Sequence, residues 1–138
     1  MAINKVKSGA IIIAGSGMCE GGRIKHHLKH NLWRTNCHVV IVGFQAGGTL
    51  GRRLVDGAKR VSMWGEAITV GAKVHTIGGL SAHADQKDLT NWIGAAPHNP
   101  RILLVHGEET AQSGLMSALD EKGIGRTEIA TYGTTYRV

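Results

Sequence analysis

The residue type best able to do chemistry in this chain is histidine, and three placements set the possibilities: His83 in SAHAD, His106 in VHGE, and His26, His27 and His30 in HHLKH. An imidazole titrates near neutral pH, so it can hand over a proton or bind a transition metal through a neutral nitrogen. His26 and His30 stand four apart and would share one helix face. That spacing could grip a metal, but HExxH hydrolysis wants a glutamate where His27 or Leu28 stands, and the other reading is a polar helix surface. Cys19 and Cys37 lie far apart with no CxxC, so neither a disulfide framework nor a cysteine zinc site is indicated, and a reducing cytosol fits best. The glycine-rich stretch AGSGMCEGG lacks the GK[ST] of a phosphate-binding loop. It also has Glu20 where the dinucleotide fingerprint has its last glycine, which argues against a nucleotide cofactor.

His83 and His106 need elements to bring them together. Val74 to Ile77 and Ile102 to Val105 read as parallel strands joined by a helix from Asp85 to Ala96, a βαβ unit stopped by Pro97. Both histidines would then emerge at the C-terminal strand edge, where open α/β sheets bind ligands. His83 would lie in the turn before the helix N-terminus, whose free N–H groups and positive dipole end suit a phosphate, and Ser81 adds a hydroxyl donor there. Asp85 has two readings, helix N-cap and orienter of a neighbouring histidine, with the cap preferred.

Upstream, AIIIAG (Ala10 to Gly15) is β-branched and uncharged, as expected of a strand buried on both faces. A glycine-rich turn leads into a helix from Arg23 to Trp33, with Ile24, His27, Leu28 and Leu32 on one face. HVVIVG (His38 to Gly43) reads as a second buried strand, and AGGTLGRRLVDG (Ala46 to Gly57) as a turn and short helix ended by Gly57. This alternation predicts an α/β fold with a parallel-rich sheet and flanking helices. Arg60 to Ile77 breaks the rhythm as short antiparallel strands turning at Gly65-Glu66 and Gly71, with a junction between substructures near residues 60 to 65. A last helix from Glu109 to Lys122 and a strand from Glu128 to Tyr132 complete the pattern.

Sixteen Lys and Arg against ten Asp and Glu leave a net charge of +6. A sequence pI of about 9.7 points to an acidic partner, nucleic acid above all, with a solvated basic face as the other reading. Lys25, Lys29, Arg34, Arg52, Arg53, Lys59 and Arg60 place much of that charge in the first half. The opening MAINKVKSG precedes too few apolar residues for a signal peptide or a membrane span, so the expectation is a soluble, cytoplasmic protein without a membrane partner.

GGLSAHADQ followed after one helix by ILLVHGEE resembles the closing motifs of the beta-CASP subgroup of metallo-β-lactamase-fold nucleases. IIIAGSGMCEGGRIKHHL and VVIVGFQAGGTLGRRL look like the latter half of a beta-CASP insert, so the resemblance covers nearly the whole chain. It implies two domains: residues 1 to 62, the C-terminal half of a beta-CASP domain, and residues 63 to 138, the C-terminal part of a metallo-β-lactamase αββα fold.

The same resemblance implies a zinc-dependent ribonuclease with two zinc ions and RNA as partner. His83 would contact the scissile phosphate and act as general acid, and His106 would be a zinc ligand. Ser81, Gly15, Ser16, Gly17 and Arg23 would approach RNA phosphate or sugar, although tight turns demanded by the fold explain the glycines equally well. The family's HxHxDH zinc motif occurs nowhere in the sequence. The implied reading is therefore a portion of such an enzyme, inactive alone, retaining zinc weakly and prone to homo-oligomerise through exposed apolar edges. A non-catalytic RNA-binding module of the same fold is the alternative.

Overall fold

A computed structural model describes residues 2–81 and 83–137. The chain divides into two compact units, Met1–Ser81 and Ala82–Val138.

In the first unit, helix α1 (Gly22–Asn31) buries Leu28, and Leu32 just past its end is 1% exposed. Strand β1 (His38–Ile41) follows, then helix α2 (Leu50–Val55), whose N-cap Thr49 accepts a hydrogen bond from the Arg52 amide. Strands β2 (Arg60–Met63) and β3 (Glu66–Thr69) pair antiparallel, and β4 (Lys73–Thr76) returns to pair parallel with β1. Leu28, Leu32, Ile41, Leu50, Leu54, Val61 and Met63 meet in one core, to which α1, β1, α2 and β2 each contribute a buried side chain.

Three expectations are corrected here. Ala10 to Gly15 is not a strand: Ile11 and Ile13 are 93% and 95% exposed, and among the described residues no strand pairs with this run. Apolar β-branched residues favour strand geometry, but without a neighbouring ladder the backbone groups turn to water and nothing holds that geometry. Second, β4 does not belong to the antiparallel excursion; it pairs parallel with β1. A parallel partner needs a crossover of a dozen or more residues, and α2 with the β2–β3 hairpin supplies it between β1 and β4. Third, the hairpin turns at Trp64 and Gly65, with φ of 50° and 78°, because Glu66 already pairs with Met63. Two successive left-handed residues are the two-residue turn that matches strand twist.

The amides of Gly71 and Ala72 both donate to the Leu32 carbonyl at 2.9 Å, docking the start of β4 against the end of α1. The backbones approach so closely that a Cβ on Gly71 would collide with the Trp33 carbonyl. Glycine is required there by contact, not by φ.

In the second unit, helix α3 (Gln86–Gly94) starts at Asp85, whose carboxylate accepts from the Asp88 amide at 2.8 Å. The capping reading of Asp85 is thus the observed one. Strand β5 (Arg101–Leu104) leads through helix α4 (Glu109–Glu121) to β6 (Arg126–Ile129), and β5 and β6 pair parallel with Ile102 opposite Thr127. The parallel partner of β5 is therefore β6, with α4 as the crossover. Leu119 of α4 is fully buried and Leu104 nearly so. Among the described residues, no helix is long and apolar enough to cross a membrane.

Candidate functional site

His106 stands two residues beyond β5 in a left-handed conformation (φ 65°), followed by Gly107 at φ 108°. A non-glycine residue there is strained, so the turn from β5 into α4 holds the imidazole in an uncommon backbone position. The Gln112 side chain from the first turn of α4 donates to the His106 carbonyl at 3.3 Å, tying the turn to the helix.

A largely apolar trough runs along α3, β5 and α4. His106 and Ala84 both line it, with Leu89, Trp92, Leu103 and Leu115. Ala84 adjoins His83, so the turn before α3 and the turn after β5 reach one cleft. His83 is exposed, as is His106.

Zinc binding can be tested against the donors present. A zinc centre takes four protein ligands, or three and a water. Among the described residues, no three His, Cys, Asp or Glu side chains gather closely enough to hold a metal ion. His106 would have at most one further donor among the described residues, and the residues present do not make up a zinc site.

Ser81 and the loop expected to approach RNA lie in the first unit, whereas His83 and His106 lie in the second. Ser16 is left-handed (φ 74°), and its hydroxyl accepts from the Gly21 amide at 3.3 Å, closing the loop on itself. The Gly17 carbonyl accepts from the Gln45 side chain at 2.9 Å, the Met18 carbonyl accepts from the Gly51 amide, and the Glu20 carboxylate accepts from the Leu50 amide. Arg23 is exposed in the first turn of α1 and Gly15 is exposed before it. The glycine-rich loop is thus stapled to the start of α2, which accounts for its tight turns on structural grounds.

Gln45, 5% exposed, is the residue that sequence reasoning missed in this loop. Its amide nitrogen also donates to the Gly43 and Phe44 carbonyls, while its oxygen abuts Gly51, where any Cβ would overlap it. A lone glutamine between glycines carries no pattern signal.

Parts of the basic surface are already engaged. Arg34 donates to the Lys7 carbonyl at 2.5 Å and pins the N-terminal segment, and Arg52 forms an ion pair with Asp56. That guanidinium holds the Asp56 carboxyl below its ordinary range. Across β1 and β4, His38 Nδ1 and His75 Nε2 lie 2.8 Å apart, one imidazole donating to the other. Lys25, His26 and Lys29 surround Trp64, a grouping with no counterpart in linear spacing.

Residues 1–54 match the Beta-Casp domain, and residues 67–130 match the Zn-dependent metallo-hydrolase RNA specificity domain. The chain belongs to the beta-CASP family of RNA-metabolising metallo-β-lactamase-fold proteins. It is 44% identical over 108 residues to a ribonuclease of Thermus thermophilus, covering 78% of this chain and 24% of the relative. It is 37% identical over 119 residues to the transcription termination factor FttA of Pyrococcus abyssi, covering 82% and 18%. With FttA of Methanocaldococcus jannaschii, identity is 37% over 106 residues, 72% of this chain and 17% of the relative. The chain spans about a quarter or less of the length of these relatives. Both SAHAD and VHGE fall within the second matched segment.

Proposed function

We propose that the chain supplies two parts of a zinc-dependent RNA-cleaving site in a longer cytoplasmic protein: His83 as phosphate contact and proton donor, and His106 as one zinc ligand. The observation supporting the reading is the cleft of the second unit, which His106 lines together with Ala84, the neighbour of His83. A proton donor placed at the departing oxygen typically contributes about 10² to 10⁴ in rate, the contribution assigned to His83. On the same reading, Ser81, Gly15, Ser16, Gly17 and Arg23 face RNA, and the family passes from its beta-CASP part to its metallo-hydrolase part near residues 62 and 63.

The isolated 138 residues should show no robust nuclease turnover and less than stoichiometric zinc after dialysis, because fewer than three donors hold the ion weakly. Stoichiometric zinc with turnover in the isolated chain would overturn that expectation. In a protein of the relatives' length, His83→Ala and His106→Ala should each lower RNA cleavage by at least about a hundredfold. Only His106→Ala should also lower bound zinc, read by atomic absorption. Salt-dependent RNA binding unchanged by both substitutions, in a protein that shows no cleavage even unaltered, would instead favour a non-catalytic RNA-binding module.

A further inference from the structure

The tip of the β2–β3 hairpin is built against local preference. The first position of a two-residue left-handed turn suits Asn, Asp or Gly, yet here it holds Trp64 at φ 50°. A bulky side chain in that region is a backbone outlier, and persistent outliers cluster where a side chain must be presented to something. Trp64 remains 51% exposed, so the strain is not offset by core burial.

What surrounds the indole is specific. The Lys25 and Lys29 ammonium groups stand 5.2 and 5.6 Å from its ring centre, and the His26 ring lies 4.8 Å away, tilted by 36°. Lys25 and Lys29 are four apart on α1, so one helix face sends both cations to the same ring. Lys29 is steadied by Glu66 at 2.6 Å, across the turn from Trp64. A helix and a hairpin thus hold a half-exposed indole with two ammonium groups over its ring, one of them paired with Glu66.

We propose that Trp64, with Lys25, His26 and Lys29, is a stacking platform for a base of single-stranded RNA, the two lysines neutralising the flanking phosphates. Every base has a π-face, and stacking on an exposed aromatic beside cations is how single strands are held without sequence preference. Duplex RNA keeps its bases stacked on one another and offers no face to Trp64. The proposal rests on the RNA reading above but uses neither His83 nor His106.

The test uses the full 138-residue chain with a fluorescent ten-nucleotide oligouridylate and, separately, a duplex RNA. Trp64→Asn removes the ring and installs a residue the turn favours, so the thermal midpoint should hold or rise. Single-strand affinity should fall about tenfold, duplex affinity should stay within about twofold, and Trp64→Phe should retain most of the binding. Lys25→Gln with Lys29→Gln removes both charges, and with them the Lys29–Glu66 ion pair, and should flatten the salt dependence by about one to two units of slope. Unchanged single-strand affinity in Trp64→Asn overturns the platform while leaving the RNA reading intact. Equal losses for single strand and duplex also overturn it, as would a double lysine variant with an unchanged salt slope. An unaltered chain that binds neither RNA overturns both readings.

Discussion

Two apolar runs of nearly the same composition meet opposite fates. Ile11, Ile12 and Ile13 lie in a segment without strand structure, with the first and third side chains almost wholly in solvent. Val39, Val40 and Ile41 form β1, with Ile41 6% exposed and β4 hydrogen-bonded alongside. The difference is the neighbour, not the residues. β1 has a helix and hairpin after it that return the chain as a parallel partner, whereas among the described residues nothing pairs with the first run. A strand is a property of a ladder, and β-branched residues express it only where a second backbone accepts and donates the bonds.

The largest effect separating the two runs should come from truncating equivalent isoleucines. Ile41→Ala removes a side chain packed among Leu28, Leu54 and Val61 and should cost about 2–5 kcal/mol. Ile13→Ala removes one already in water and should change stability by less than about 0.5 kcal/mol. Urea unfolding of the isolated chain reads both. Similar losses would mean that the first run is packed in solution and would break the contrast.

That contrast also explains what the sequence made legible. Helices α3 and α4 were readable because a limit of each rests on local chemistry: Asp85 caps α3, and Gly123 at φ 64° follows α4. The hairpin was readable to within one residue. Pairing was not, because Val74 and His75 carry no mark that chooses β1 as their partner; the choice is made by which crossover folds back. The candidate site divides the same way. His83 and His106 stood out by motif and their neighbourhoods reach one cleft, but the Trp64 group joins residues about forty apart, beyond any local pattern.

A middle-sized effect tests the neighbour itself. Gly71→Ala would push a methyl into the Trp33 carbonyl and lift the start of β4 from Leu32. Forced backbone shifts of this kind cost about 1–3 kcal/mol. Amide hydrogen exchange should then quicken along β1 and β4 while residues 11 to 13 exchange as before. Unaltered protection in β1 would show that β4 is not what holds it as a strand.

The smallest change touches no contact and locates where the uncovered run becomes fixed. Cys19 lies six residues beyond Ile13, yet is 3% exposed and packs in the same core as Ile41. Burial, with the neighbouring Glu20 carboxylate, raises its thiol pKa. The thiolate is the reactive form, so Cys19 should be slow toward alkylating reagents on both counts. Cys37, which precedes β1 and is only partly covered, should be modified first under native conditions at pH 8. Denaturant should bring the two rates close together, as read by mass spectrometry of the digested chain. If Cys19 labelled as fast as Cys37 before unfolding, the loose region would extend through the glycine-rich loop and the stapling of Met18 and Glu20 to α2 would not persist in solution. Protection of Cys19 would confine the unpaired segment to the residues before it, where, among the described residues, no second strand lies alongside.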